Sequence, residues 1–143
     1  MATISELQRQ KGRIVNVSSG AAEHVISAAS AYCAAKSGLN QFTRVLAEEE
    51  PDITAIAVRP GVVDTPMQEL LRQEGPQKMP PEQAAYYTDL KTEGRLEPPH
   101  VPARSIAWLA LHAPHQWSGA FMNYDDPQIS KPAMQLFGMN FES

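Results

Sequence analysis

The sequence predicts an α/β fold with a parallel sheet, and three observations favour it. Short segments rich in β-branched residues alternate with segments of helical period, in the order strand, helix, strand, helix, strand. The middle strand, residues 53–58, is almost wholly apolar, as expected for a strand buried on both faces of a parallel sheet. Polar segments containing glycine follow the first two strands, where parallel sheets place their binding sites. We therefore expect parallel strands joined by right-handed crossovers.

The composition fits one globular domain. The chain has 143 residues, of which 43% are hydrophobic and 20% charged, and its net charge is −4. The basic residues are scattered along the chain, which argues against a nucleic-acid partner. The apolar runs are too short to cross a bilayer, and the amino terminus lacks the apolar segment of a signal peptide. We therefore expect no membrane partner and a cytoplasmic location.

The elements before the second strand are predicted from the spacing of the apolar residues and from the residues that begin or end helices and strands. Residues 3–10 are typical of the last turns of a helix, and residues 13–17 (RIVNV) of a strand that ends in a loop. In residues 31–49 the apolar side chains recur every three or four positions, which indicates a helix. We expect Ser30 to cap the start of this helix and Pro51 to prevent its continuation.

The next segment predicts a lid over a binding site. Residues 66–101 are polar and rich in proline, with short helices expected at about residues 66–73 and 81–90. Loops of this length in a compact domain are usually functional. Tyr86 and Tyr87 in this lid are expected either to pack within it or to touch a substrate.

The last elements are a helix, a strand and a tail. Pro102 is placed to open a helix over residues 103–113. Residues 119–124 (GAFMNY) predict the last strand, and an irregular tail is expected from Asp125 onwards.

The sharpest chemical feature is a tyrosine and a lysine on the predicted long helix. Tyr32 and Lys36 are four residues apart, so their side chains share one face and can approach each other. A phenol is a poor acid or base at neutral pH, and a neighbouring ammonium stabilises the phenolate. Such a tyrosine can donate a proton to a carbonyl oxygen while hydride reaches the carbon. The pair alone is weak evidence, because a surface pair without a role has the same spacing.

Two strand ends add polar groups near that pair. Ser19 follows the first strand, thirteen residues before Tyr32, and its hydroxyl is placed to bond the same substrate oxygen. The second strand is followed by residues 60–65 (PGVVDT), a rigid turn whose backbone amides and Thr65 hydroxyl are expected to face the same crevice. Both strands therefore end in loops suited to a site.

These residues carry a family resemblance. The strand IVNVSS, the segment YCAAK with its serine thirteen residues earlier, and the PGVVDT turn resemble the short-chain dehydrogenases/reductases over about residues 12–124. The proline-rich lid and the ending around Tyr124 are similar to fungal carbonyl and diketone reductases related to sepiapterin reductase. The resemblance implies part of a Rossmann-like, doubly wound parallel sheet, with its last three strands and their helices.

The resemblance also implies a reaction and its residues. The expected function is an NAD(P)H-dependent oxidoreductase that reduces a ketone or aldehyde by hydride transfer. Tyr32 would be the catalytic acid and base, Lys36 would promote its ionisation, and Ser19 would orient the substrate carbonyl. The cofactor, NADP or NAD, would contact Tyr32, the nicotinamide ribose would bind Lys36, and the carboxamide would bind the turn. The turn residues that the resemblance assigns to the cofactor are Pro60, Gly61, Val63 and Thr65.

One departure from the family is informative. The family begins with a glycine-rich phosphate loop after its first strand, and this chain has no glycine-rich turn. By the resemblance, the chain corresponds to the carboxyl-terminal half of such an enzyme. We therefore expect it to bind NADPH weakly or not at all on its own. The alternative function is a catalytically inactive, truncated fragment that acts, if at all, by association.

Two predicted surfaces favour association. Residues 13–17 would form an open, apolar sheet edge, and in many family members the helix at residues 31–49 contributes to a dimer interface. The implied partners are a small carbonyl substrate and a second copy of the chain or a full-length relative. The whole chain is predicted as one partial domain, with a catalytic core (residues 12–65), a substrate lid (66–101), and the last helix, strand and tail (102–143).

Other side chains are given structural roles. Cys33, the single cysteine, has no histidine partner in the pattern and is expected to pack on its helix. The four histidines lack ligand-like spacing with carboxylates, so no metal site is predicted. Trp108, Leu109 and Leu111 are expected in the core.

Overall fold

The computed structural model describes residues 4–138 as a parallel sheet of three strands with helices packed on its faces. The strands are β1 (Arg13–Val17), β2 (Thr54–Arg59) and β3 (Phe121–Asn123). Strand β2 lies in the middle, with Val17 opposite Val58 on one side and Met122 opposite Val58 on the other. The predicted α/β parallel sheet is confirmed. Among the described strands β1 pairs with β2 alone, so its outer edge is open.

The helices occupy the connections that the sequence predicts, with one addition after β3. They are α1 (Ile4–Arg9), α2 (Ser30–Glu49), α3 (Pro66–Lys78), α4 (Pro81–Thr92), α5 (His100–His112) and α6 (Pro127–Phe137). Helix α2 packs on β2 and is joined to β1 by a hydrogen bond of 2.9 Å from Asn16 Nδ2 to Thr43 Oγ1. Helices α5 and α6 pack against each other and supply the core on the other face.

The core lies where β2 meets α5 and α6. Ile56, Leu109 and Ile129 are fully buried there, and Trp108 packs against them partly buried. Burying one such aliphatic side chain is worth about 1.5–3 kcal/mol, so these contacts are the main support of the sheet. Leu109 was correctly predicted as core, whereas the prediction for Leu111 is wrong. Leu111 is 57% exposed because it lies on the outer face of α5.

Four helix boundaries differ from the predictions. Helix α2 begins at Ser30 itself, with Ala29 in the cap position and no side chain capping it, so the predicted cap is wrong. Helix α5 begins at His100, and Pro102 lies in its first turn, where a missing N–H has no helical partner to lose. Both lid helices extend beyond the expected ends, and α3 continues through Pro76.

The chain after β3 forms a helix, so the predicted irregular tail is wrong. The Asp126 carboxylate accepts a hydrogen bond of 2.9 Å from a backbone N–H of the first turn, and Pro127 occupies the first helical position. Ile129 and Ala133, four residues apart, are buried against the core. Pro127 at the start of the helix and Pro132 inside it obscured this pattern in the sequence. Residues 139–143 of the predicted tail and residue 3 of the first predicted helix lie outside the described residues.

Candidate active site

A cleft of about 620 Å³ opens at the carboxyl ends of β1 and β2. The site residues predicted from the sequence all line it, namely Ser19, Tyr32, Lys36, Pro60, Gly61, Val63 and Thr65. The outer wall comes from α3 and α4. The fold therefore brings together residues that lie up to 46 positions apart (65 − 19 = 46) in one concave site.

Helix α2 carries Tyr32 and Lys36 one turn apart at its amino-terminal end. Lys36 Nζ lies 5.7 Å from the centroid of the Tyr32 ring. The same Nζ donates a hydrogen bond of 2.8 Å to the carbonyl oxygen of Val17, the last residue of β1. An ammonium has three N–H donors, and two of them have no partner among the described residues.

Ser19 lies just beyond β1 and starts the loop toward α2. Its Oγ accepts a hydrogen bond of 3.2 Å from the backbone N–H of Ala21 and so caps a short 3₁₀ turn, Gly20–Ala22. The hydroxyl proton is still available for donation to a ligand, because an accepting hydroxyl keeps its own donor. The neighbouring hydroxyl of Ser18 is enclosed and has no partner within residues 4–138.

The turn after β2 is fixed by two backbone hydrogen bonds with Glu97. The Asp64 N–H donates to the Glu97 carbonyl at 2.9 Å, and the Glu97 N–H donates to the Val62 carbonyl at 2.8 Å. Since the neighbours of Val63 make these bonds, its own N–H and C=O have no partner in the described part of the chain. The Thr65 side chain makes no cap bond to α3, and its hydroxyl forms no hydrogen bond within residues 4–138.

The same turn is shaped by a close approach between Gly61 and Tyr124. Gly61 has φ of +74°, in the left-handed region that favours glycine. A Cβ at this position would lie 2.7 Å from Tyr124 Cε1, so the ring occupies the space of a side chain. The Tyr124 N–H donates to the Arg59 carbonyl at 2.9 Å. Burial and a hydrogen bond with Glu97 raise the pKa of the Tyr124 hydroxyl above its ordinary value.

Helices α3 and α4 pack mainly against each other and close the cleft from outside. The rings of Tyr86 and Tyr87 stack edge to face with centroids 5.4 Å apart, and both also line the cleft. Tyr87 is 8% exposed, and its burial raises the pKa of its hydroxyl. Gln83 Oε1 accepts a hydrogen bond of 3.0 Å from the Ser27 N–H, which joins the lid to the loop before α2.

Sequence reasoning missed several polar residues of the cleft, of which three are the most informative. Arg59, Gln68 and Gln83 all line it, and Gln68 is 8% exposed with an enclosed Oε1 that has no partner among the described residues. The sequence contains a signal for Arg59, because this residue ends β2 and directly precedes the turn. The two glutamines lie in a polar segment where nothing local distinguishes them.

Residues 4–138 contain no group of three or more histidine, cysteine or carboxylate side chains that could hold a metal ion. Cys33 is half-buried on α2, as expected for a packed residue, with its Sγ 3.9 Å from the His24 carbonyl oxygen. Within the same described range, every helix is too short or too polar to cross a bilayer.

Comparison with known proteins identifies the class. A family model described as short chain dehydrogenase matches residues 1–75, and the chain belongs to this family. The resemblance carried by the serine, the YCAAK segment and the PGVVDT turn is therefore confirmed.

Particular relatives refine this assignment. An uncharacterized oxidoreductase of Schizosaccharomyces pombe is 42% identical over 122 residues, which cover 85% of this chain and 49% of the relative. A benzil reductase of Saccharomyces cerevisiae that forms (S)-benzoin is 39% identical over 122 residues, which cover 82% and 46%. The crystal structure of a short chain dehydrogenase/reductase from S. cerevisiae is similar with a TM-score of 0.85 and 40% identity, over 90% of this chain and 51% of that chain. The chain thus spans about half the length of the relatives it matches.

Proposed function

We propose that this chain carries the proton-transfer half of an NAD(P)H-dependent carbonyl reductase, which reduces a ketone or aldehyde by hydride transfer. The observation that supports the proposal most is the meeting of Ser19, Tyr32 and Lys36 in one cleft at the ends of two parallel strands. A hydroxyl donor, a phenol and an ammonium in one concave site suit the protonation of a carbonyl oxygen.

The turn after β2 fits the nicotinamide end of the cofactor, NADP or NAD. A carboxamide offers an N–H donor and a carbonyl acceptor, and the unpartnered backbone groups of Val63 and the Thr65 hydroxyl match these groups. The two remaining N–H donors of Lys36 suit the hydroxyls of the nicotinamide ribose. When bound, the reduced nicotinamide supplies the hydride. The described residues contain no glycine-rich turn for the pyrophosphate, and we expect weak NADPH binding by the chain alone.

The polar side chains of the cleft orient the substrate and transfer the proton. The Ser19 hydroxyl donates a hydrogen bond to the substrate carbonyl oxygen and orients it. The Tyr32 hydroxyl transfers its proton to the same oxygen as negative charge develops there. Lys36, held by the Val17 carbonyl, keeps its ammonium beside the ring and stabilises the phenolate that remains. In the reverse reaction the phenolate takes the proton from the alcohol.

The walls of the cleft favour a substrate with an apolar body. Apolar side chains from the loop before α2 and from the lid line it, including Val25, Ile26, Met67, Leu71 and Tyr87. Benzil, the aromatic diketone named for a relative of this chain, has this character. We propose apolar ketones and diketones as the substrate class.

The test is NADPH oxidation with benzil by the purified chain and by Tyr32→Phe. Removing a general acid lowers the rate by about 10²–10⁴-fold, and we expect a loss in this range at unchanged circular dichroism. Lys36→Met should lose activity as well, whereas the control Lys131→Met, on an exposed position of α6, should not. Equal background rates for the native chain and Tyr32→Phe would defeat the catalytic proposal.

A second candidate function is an inactive fragment that acts by association. The open edge of β1 and the outward side chains of Phe42 and Val45 on α2, which are 56% and 41% exposed, favour it. The partner would be a second copy of the chain or a full-length relative. Sedimentation of the chain alone and mixed with such a relative tests this candidate, and a monomer in both samples would exclude it.

A further inference from the structure

Arg59 places a half-buried guanidinium in the cleft without a counter-charge. Within residues 4–138 its side chain forms no ion pair and no hydrogen bond. The guanidinium lies against the backbone of Gly20, where a Cβ would be 3.0 Å from both its Cζ and its Nε. Its nitrogen atoms are not enclosed, so a molecule in the cleft can reach them.

The surroundings leave this charge uncompensated. Among residues 4–138, Lys36 and Arg59 are the two cations that line the cleft, and Glu82, on an exposed position of α4, is the single carboxylate in the lining. A partly desolvated guanidinium without a partner is unfavourable, and proteins normally pair or hydrogen-bond such a group. A ligand that brings negative charge to this position removes the penalty.

We propose that Arg59 binds an oxyanion of a ligand held in the cleft. The planar fork of a guanidinium matches the two oxygens of a carboxylate or phosphate. The absent side chain of Gly20 leaves the room in which the guanidinium lies, directly beside Ser19 in the chain. The oxyanion has two possible sources, a carboxylate on the carbonyl substrate or the pyrophosphate of the cofactor. The first source rests on the proposed function, and it extends the substrate class to keto acids.

The test is a calorimetric titration of the full chain with three probes. Phenylglyoxylate is an aromatic keto acid, its methyl ester is the same molecule without the charge, and inorganic pyrophosphate represents the cofactor. Loss of a hydrogen bond between charged groups weakens binding by about 10- to 100-fold. We expect Arg59→Met to weaken the binding of phenylglyoxylate, of pyrophosphate or of both by this factor. Arg59→Lys should retain part of the affinity, and binding of the methyl ester should change less than about twofold, since it makes no charged hydrogen bond.

Two further variants distinguish the effect of the guanidinium's position from the effect of net charge. Gly20→Ala keeps the net charge but requires the guanidinium to shift by a few tenths of an ångström, and it should weaken binding of the same oxyanion. Arg95→Met removes an equal charge from an exposed arginine that pairs with Glu93 outside the cleft, and it should bind like the native chain. Gly20→Ala also serves if Arg59→Met fails to fold.

The outcomes distinguish the two ideas. Sensitivity of phenylglyoxylate to Arg59→Met supports the inference with a substrate carboxylate, and sensitivity of pyrophosphate supports it with the cofactor. If neither oxyanion binds the native chain, or if both bind Arg59→Met equally well, the inference is wrong even when the chain reduces benzil. If an oxyanion binds through Arg59 while no ketone is reduced, the inference holds and the proposed function fails.

Discussion

Gly61→Ala tests whether the turn that lines the candidate cofactor site is as constrained as its geometry indicates. The residue has φ of +74°, and an added Cβ would lie 2.7 Å from Tyr124 Cε1. A left-handed conformation costs an L-residue about 1–2 kcal/mol, and overpacking a filled space costs about 1–3 kcal/mol. We therefore expect Gly61→Ala to lower the free energy of unfolding by about 2–5 kcal/mol.

The chain offers a matched control that separates the two contributions. Gly94 has φ of +65°, nearly the same as Gly61, but no atom lies within 4 Å of the position of its Cβ. Gly94→Ala should therefore show only the conformational cost of about 1–2 kcal/mol. In a Tyr124→Ala background the steric part should vanish, so that Gly61→Ala there costs about as much as Gly94→Ala.

Urea unfolding followed by circular dichroism measures all four variants on one scale. Equal losses for Gly61→Ala and Gly94→Ala would show that the Tyr124 ring exerts no steric constraint. Additive effects of Gly61→Ala and Tyr124→Ala would refute the contact itself.

Two further predictions concern the lid and the last helix. Gln83→Ala removes the acceptor of the Ser27 N–H, and the loss of about 0.5–1.5 kcal/mol should speed hydrogen exchange of that amide by about 2- to 12-fold. Gln83→Glu, which keeps an acceptor, and the exposed control Gln77→Ala should leave it slow, and unchanged exchange in Gln83→Ala would exclude the contact. Ile129→Ala empties a fully buried position and should cost about 2–5 kcal/mol in thermal or urea unfolding. The exposed control Gln135→Ala should cost little, and equal effects would show that α6 does not complete the core.

Much of the fold was predictable because its determinants are local. The run at residues 53–58 is apolar at successive positions, and β2 is buried on both faces as this pattern indicates. Helix α6 was not predictable in the same way. Its stability depends on packing of Ile129 against α5, and its two prolines gave a local signal of irregular structure. Tertiary contact overrides local propensity there.

Some residues of the site could likewise be predicted from local sequence, whereas others depend on the folded structure. Ser19, Tyr32 and Lys36 could be proposed because their spacing places them at a strand end and on one helix face. Gln83 could not, because its partner Ser27 is 56 residues away and only the folded lid brings them together. That Arg59 has no ion pair or hydrogen bond within the described part of the chain is likewise a property of its surroundings, which no local pattern reports.

The hydrogen bond from Lys36 to the Val17 carbonyl limits how the ammonium can turn. An ammonium has three N–H bonds. When one of them is hydrogen-bonded to the strand end, the other two can only rotate about the axis of that bond. Their possible positions lie on a narrow ring around one axis, which the sheet orients. A planar guanidinium has no such axis, so arginine at position 36 could not direct its remaining donors to the same places. The strand end thus sets the direction of the lysine as well as its location.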